Sequence, residues 1–244
     1  MLIEGIEVTK DDLQNGQYIY QPKDGFRFGI DAVILSSFCG IKKGERVLDM
    51  GTGTGIIPLL LAAKTKGEHF TGLEIQEKYV TVARESVRLN NLEDRIDIVN
   101  GNICNASDIL KNENINAIVC NPPYMISQHG LRNDMDEKFI ARHEVLCKFD
   151  DIAREASKIL SPKGRICIIH RPFRLAELFE TLKKYKLEPK RMRLVHSFVG
   201  KEPQMVMIEA FKDGNSGIKI ERPLIVYSEK GKYTKEIEDI YKDP

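Results

Sequence analysis

Nothing in these 244 residues is long and apolar enough to span a bilayer, and no two cysteines stand in a C-x-x-C pair. The longest nearly apolar stretch, Ile56–Ala63, is well under membrane length and contains Pro58. The five cysteines (Cys39, Cys104, Cys120, Cys147, Cys167) are odd in number and scattered. They argue against a zinc site or a disulfide framework and fit reduced thiols in a cytosol, with no metal expected. The start, Met1-Leu2-Ile3-Glu4-Gly5, has early acids and no basic–apolar–small pattern, so no signal peptide is read and a cytoplasmic protein is expected. Internal repeats and low-complexity linkers are also missing. With 42% hydrophobic and 30% charged residues, the composition is that of a soluble globular chain able to bury a substantial core. Net charge is only +1, yet between Ser161 and Lys201 eleven lysines and arginines face three glutamates. A local excess of that size points to a polyanionic partner.

From Arg46 onward, strand-like and helix-like stretches alternate. Arg46–Met50, His69–Glu74, Arg95–Asn100, Ile115–Cys120 and Arg165–His170 read as buried strands. Ile56–Lys64, Gln76–Asn91, Asp150–Leu160 and Phe173–Tyr185 read as helices between them. Val80, Ala83, Val87 and Leu89 form the apolar stripe of the second helix. Arg191–Phe198 and Gln204–Phe211 flank the turn Gly200-Lys201-Glu202-Pro203 and predict a closing hairpin. The expected fold is α/β: a Rossmann-like, seven-stranded, mostly parallel sheet with a C-terminal antiparallel hairpin. Residues 1–40 are expected to extend the core and close a ligand pocket, 41–212 to form the core itself, and 213–244 to extend the same domain. The tail after Gly214 reads equally as an added hairpin and helix or as a mobile flap.

In such a sheet the ligand crevice lies beyond the C-terminal ends of the strands. Asp49-Met50-Gly51-Thr52-Gly53-Thr54-Gly55 falls there, directly after the first core strand. Glycines at 51, 53 and 55 let the chain turn tightly and let a ligand approach without a Cβ in the way. A nicotinamide dinucleotide site would need G-x-G-x-x-G, but Ile56 occupies the third glycine position. Asp49, two residues before the loop, would repel a pyrophosphate and attract the ammonium or sulfonium of S-adenosylmethionine. Glu74 ends the second strand, where an acid commonly accepts hydrogen bonds from ribose hydroxyls. Ile75 follows it, and Asn102 after the third strand is placed to pair its amide with an adenine edge.

Seventy residues beyond Gly51, the fourth strand runs into Asn121-Pro122-Pro123-Tyr124. An aromatic exocyclic amine is a poor nucleophile because its lone pair is delocalised into the ring. If the Asn121 side-chain carbonyl and the Pro122 backbone carbonyl accept its two hydrogens, the nitrogen shifts toward tetrahedral geometry. Pro122 and Pro123 fix the backbone and remove competing N–H donors. Tyr124 offers a ring on which a planar base or amide stacks. Asn121, Pro122 and Tyr124 are therefore the expected catalytic residues. Their work is positioning and polarisation rather than base catalysis.

Together, the glycine loop, Glu74 and Asn-Pro-Pro-Tyr resemble the class I S-adenosylmethionine-dependent methyltransferases that act on planar nitrogens. Further stretches resemble one branch, the bacterial tRNA1(Val) adenine-N6 methyltransferases, which modify the adenine beside the anticodon. These stretches are Gln21-Pro22-Lys23-Asp24-Gly25-Phe26-Arg27-Phe28-Gly29-Ile30-Asp31-Ala32-Val33, Ala141-Arg142-His143-Glu144, Glu188-Pro189-Lys190-Arg191-Met192-Arg193 and Tyr233-Thr234-Lys235-Glu236-Ile237. The resemblance implies a cofactor pocket closed from the N-terminal side by Phe28 and Asp31. It also places Arg142 and His143 near the substrate mouth. Asn102 departs from the pattern, standing where related enzymes often carry an acid.

The sequence thus predicts a monomeric enzyme that methylates adenine N6 in tRNA, with Lys190 and Arg191 of the basic stretch holding phosphates. Protein glutamine, ribosomal RNA guanine and DNA adenine share the planar-nitrogen geometry and stay open as substrates. A cofactor-binding RNA scaffold without catalysis is disfavoured by the intact Asn121–Tyr124 motif. Glutamine methylation loses ground because only 45 residues precede the first core strand, too few for a sizeable helical domain.

Overall fold

The computed structural model describes residues 1–25, 27–111, 113–122 and 147–242. Three strands open the chain, β1 (Leu2–Ile3), β2 (Ile6–Asp12) and β3 (Tyr18–Pro22), and helix α1 (Ile30–Phe38) follows. The core continues through β4 (Arg46–Met50), α2 (Ile56–Lys64), β5 (His69–Glu74), α3 (Glu77–Leu89) and β6 (Ile96–Asn100). A 3₁₀ turn at Ile103–Asn105 leads into the short α4 (Ala106–Ile109) and then β7 (Ile115–Cys120). Next come α5 (Phe149–Ile159), β8 (Leu160–His170), a 3₁₀ turn at Pro172–Arg174, α6 (Leu175–Lys184), β9 (Leu187–His196) and β10 (Pro203–Lys212). The chain closes with β11 (Lys219–Ile220), β12 (Leu224–Ile225), β13 (Tyr227–Glu229), β14 (Lys232–Tyr233) and α7 (Lys235–Lys242).

The central sheet runs β9-β10-β8-β7-β4-β5-β6. Its neighbours are parallel except at β10, which is antiparallel to both β8 and β9. The expected seven strands and closing hairpin are present, and the two-residue strands β11 and β12 add to them along β9. The hairpin strand β9 starts at Leu187 rather than Arg191, because Leu187 already pairs with Lys212, and Phe198 falls in the turn. Likewise β8 begins at Leu160, which pairs with Ile115, and the Ser161–Gly164 turn bulges out before pairing resumes at Arg165, with Lys163 at φ +63°.

Side chains alternate across the strands. Val47, Ala117, Val119, Cys167 and Ile169 enter one core with α1, α2 and α3. Leu48, Met50, Ile118, Cys120, Ile166 and Ile168 enter the other with α5 and α6. Both faces are covered, so these strands read as continuous apolar runs rather than alternating ones. Helix α2 is buried almost throughout, from Ile56 to Ala62. Helix α3 buries two faces. Val80, Ala83 and Val87 meet the sheet, while Val82 and Leu89 meet Ile3, Val8 and Tyr20 of the N-terminal strands. The Tyr20 amide donates to Ser86 Oγ at 2.9 Å, and the Asn90 side chain clasps both backbone groups of Tyr18.

The tail takes the ordered alternative, a β13–β14 hairpin followed by α7. Ile237 of α7 is fully buried in the core that holds α1. Among the described residues no helix is long and apolar enough to cross a membrane.

Chain order reverses at β4, whose neighbours are β5 on one side and β7 on the other. A crevice opens at such a switch point, beyond the strand ends. The glycine turn after β4 and Asn121 after β7 face each other across it.

Candidate active site

The turn after β4 needs left-handed backbone at alternate positions, with φ of +81° at Gly51, +56° at Gly53 and +83° at Gly55, a region that only glycine enters at no steric cost. Its amides are spent internally. Gly51 and Thr52 donate to the Leu73 carbonyl at 2.9 and 3.0 Å, Gly53 to Glu74 Oε2 at 3.0 Å, and Gly55 to the Thr52 carbonyl at 3.0 Å. A loop built this way offers few donors to a phosphate, unlike a dinucleotide or P-loop turn. Thr52 packs over Gly72 of β5, where a Cβ would lie 2.8 Å from the threonine methyl and 2.9 Å from Ile98. Gly72→Ala is expected to push the turn off the sheet at a cost of about 1–3 kcal/mol, visible as a lower melting temperature.

Beneath the turn, Asp49 is 2% exposed, and neither carboxylate oxygen has a hydrogen-bond partner. The buried hydroxyls of Thr52 and Thr54 are also unpartnered. Burial pushes the Asp49 carboxyl up to about 7, and the Glu74 charge adds to the rise. The Thr52 hydroxyl opposes it from nearby without reaching hydrogen-bonding geometry. This acceptor-rich, donor-poor site suits a cation.

On the other face of β4 lies an open cavity at the C-terminal strand ends. Gly51, Glu74, Ile75, Asn102, Asn121 and Pro122 stand on its wall, so the structure brings these predicted residues together. Glu74 is 5% exposed and held at both oxygens, Oε2 by Gly53 and Oε1 by the Gln76 amide at 2.9 Å. Oε1 also accepts from Gln76 Nε2 at 3.5 Å, and Oε2 keeps a further lone pair for a ligand hydroxyl. Ile75 is 37% exposed, an apolar surface at the cavity for a planar ring. Asn102 uses its carbonyl to cap its own turn, accepting from the Cys104 amide at 2.9 Å, so its NH₂ is the end turned to other partners. At the end of β7, Asn121 Nδ2 donates to Asp31 Oδ2 at 3.0 Å.

Other predicted residues are placed differently. Phe28 packs against the α1 side of the core, and neither it nor Asp31 is on the cavity wall. Asp49, Gly53 and Gly55 support the turn from behind. Pro123, Tyr124, Arg142 and His143 lie outside the described residues.

The predicted phosphate contacts Lys190 and Arg191 sit on β9 level with Ile166 and Cys167, well short of the cavity edge at His170. Arg191 is committed inside the protein, to Glu209 at 3.0 Å, to Glu221 at 3.5 Å and to the face of Phe38. Lys190 donates to the Asn215 carbonyl at 3.0 Å. Other bases of the same stretch also find acids: Arg165 pairs with Glu45, Lys184 with Asp150 and Arg193 with Glu236. Four of the eleven bases of the stretch are therefore tied to acids distant in sequence.

Sequence reasoning missed part of the wall: Ile103, Cys147, Phe149, Ile152, His170 and Arg174. His170 ends β8 at the same edge as Glu74 and Asn121, so its position was readable by the rule that found them. It is buried, its Nδ1 accepts from the Arg171 amide at 2.8 Å, and its ring meets Phe149 edge-on at 6.4 Å. Burial and the Arg174 charge lower its pKa to about 4, so it is neutral near pH 7.

A doubly covered sheet with this strand order, a glycine turn with few free amides and an amide at the end of β7 define a class I methyltransferase. The family model described as "Methyltransferase domain" matches residues 41–235. A protein of Porphyromonas gingivalis named tRNA1(Val) (adenine(37)-N6)-methyltransferase is 32% identical over 189 residues, covering 75% of this chain and 73% of its own. One of the same name from Parabacteroides distasonis is 28% identical over 232 residues, covering 92% and 93%. The fold is shared with a predicted O-methyltransferase from Agrobacterium tumefaciens at TM-score 0.70 and 22% identity, over 87% of this chain and 96% of that one. The chain belongs to the S-adenosylmethionine-dependent methyltransferases, in the family of the tRNA1(Val) adenine-N6 enzymes. The residues on the cavity wall fit that cofactor, with a fixed acid for hydroxyls and apolar Ile75 and Ile103 for a ring, and the buried, unpaired Asp49 carboxylate lies behind the turn.

Proposed function

We propose that this enzyme methylates the exocyclic N6 amine of adenine 37, beside the anticodon of tRNA1(Val), as the names of its relatives state for them. The observation that carries the reading is Asn121, held at the end of β7 with its NH₂ on Asp31 and its neighbour Pro122 on the cavity wall. Bound S-adenosylmethionine supplies a methyl group on a positively charged sulfur, so the protein has only to present a nucleophilic lone pair to it. Asn121 Oδ1 and the Pro122 carbonyl accept the two amine hydrogens. This withdraws the lone pair from the ring and favours the tetrahedral nitrogen of the transition state. No general base is required, because the methylated amine is strongly acidic and loses its extra proton to water. Neutral His170 and the apolar Phe149 and Ile152 line that region of the wall, with the Arg174 guanidinium 3.3 Å from His170 Nε2 and paired with Glu177. The target base leaves its stack to enter, which costs least in a loop such as the anticodon loop.

The RNA-facing surface is proposed at the C-terminal strand edge that holds the cavity, not at Lys190 and Arg191. Exposed Lys201 lies there, in the β9–β10 turn. Lys201→Glu is expected to weaken tRNA binding several-fold and lower its salt slope by about one, while Lys190→Glu changes it less than about twofold. Filter binding across a salt series checks this, and equal losses at the two sites would contradict the placement. Substrate class is tested by offering labelled cofactor with unmodified tRNA, ribosomal RNA, DNA and release-factor protein. Label is expected in tRNA alone, and label in protein or in other nucleic acid alone would overturn the reading.

A further inference from the structure

A carboxamide has two ends that exchange by a 180° rotation, and only one of them serves the chemistry proposed for Asn121. Its oxygen must face the incoming amine, since an NH₂ there would oppose the amine's hydrogens instead of accepting them. Something must therefore fix the rotation. A carboxylate can only accept hydrogen bonds. Asp31 Oδ2 lies 3.0 Å from Asn121 Nδ2, so this partner admits the NH₂ end and repels the oxygen end.

We infer that Asp31 is a positioning residue for the methyl-transfer step: its carboxylate locks the Asn121 side chain with the carbonyl oxygen turned away from Asp31, toward the substrate amine. The inference rests on the proposed role of Asn121 and gives that role its geometric cause. Asp31 is itself held firmly. It lies in the first turn of α1, whose residues Ala32–Ser36 and Phe38 are buried in the core. Its second oxygen accepts from the Ala32 amide at 3.0 Å. Gly29 leaves room for it, since a Cβ at that position would stand 2.9 Å from Asp31 Oδ1. The preceding chain is tied back by the Phe28 amide, which donates to buried Gln21 at 3.1 Å. The N-terminal segment thus brings one acceptor to a motif ninety residues later in the chain. This differs from the role expected from the sequence, in which Asp31 closes the cofactor pocket. A pocket-closing residue would govern cofactor affinity, and a positioning residue governs kcat.

The test is a double-mutant cycle on the full-length enzyme. It uses single-turnover methyl transfer to tRNA, with cofactor Kd measured separately by calorimetry. Asp31→Ala is expected to lower the transfer rate on the order of 100-fold, the scale of loss for a misplaced reacting group, with cofactor Kd within about twofold. Asp31→Asn can turn its own NH₂ toward Asn121 and no longer excludes the oxygen end, so it is expected to lower the rate about tenfold or more with cofactor Kd within about twofold. In an Asn121→Ala background, Asp31→Ala should add no further loss, because a residue acting through Asn121 has nothing left to position. Equal losses in both backgrounds would overturn the inference. So would a cofactor Kd that rises with the rate unchanged, or an Asp31→Asn variant as fast as the native enzyme. An Asn121→Ala enzyme as fast as the native one would instead overturn the role of Asn121, so the two failures are separable. Should Asp31→Ala melt below assay temperature, the near-isosteric Asp31→Asn and its cycle partner still decide the matter.

Discussion

Asn121→Ala is expected to lower methyl transfer by about two to three orders of magnitude while leaving cofactor binding within about twofold. The scale is that of removing one preorganised polar group aimed at charge that develops in the transition state. The side chain stands at the end of β7 and is held there by Asp31, so the alanine variant loses the acceptor together with its tie to Asp31. Cofactor affinity should survive, because Gly51, Glu74, Ile75 and Asn102 are untouched on the wall. Single-turnover transfer and calorimetry on the same preparation make the comparison. Equal loss of rate and of cofactor affinity would place Asn121 in binding rather than in chemistry.

Asp49→Asn is expected to have opposite effects on stability and binding. In the native fold the carboxyl is raised to about 7 by burial, against 3.8 for an unburied aspartate. Between those two values the folded chain holds a proton that the unfolded chain has released, so stability without cofactor falls as pH rises from about 4 to about 7. At pH 8 the full penalty applies, on the order of 4 kcal/mol. Asparagine removes the charge but leaves an unpartnered amide, which gives part of this back. The variant should melt about 4 °C or more above the native protein at pH 8, with the advantage shrinking toward pH 5. The same change removes the buried charge that attracts a cationic cofactor, and Kd for S-adenosylmethionine should rise tenfold or more. Melting curves at pH 5 and pH 8, with calorimetry at pH 8, check both halves. A melting shift independent of pH, or an unchanged Kd, would contradict the reading of Asp49.

Both predictions concern residues that were visible in the sequence, and for a common reason. Asp49 lies near the end of β4 and Asn121 directly follows β7, and a strand end in a parallel sheet is where ligands bind. The core strands were legible because, buried on both faces, they carry apolar runs, as in Ala117–Cys120. What stayed hidden depends on partners far away in the chain. The basic stretch after Ser161 looks like a surface patch until Glu45, Asp150, Glu209, Glu221 and Glu236 arrive beside it. The second buried face of α3 has no signature of its own, because Val82 and Leu89 are covered by strands some sixty residues earlier. Asp31 and Asn121 each carried a signal, but their hydrogen bond joins segments that only folding brings together. Cavity residues such as Phe149 and Ile152 look from the sequence like any buried helix face.

The most direct test is nucleoside mass spectrometry of tRNA1(Val) transcripts after incubation with the enzyme and labelled S-adenosylmethionine, using one transcript with adenine at position 37 and one with guanine there. The account predicts N6-methyladenosine in the first and no label in the second. Equal labelling of both transcripts, or label on a nucleoside other than N6-methyladenosine, would contradict it.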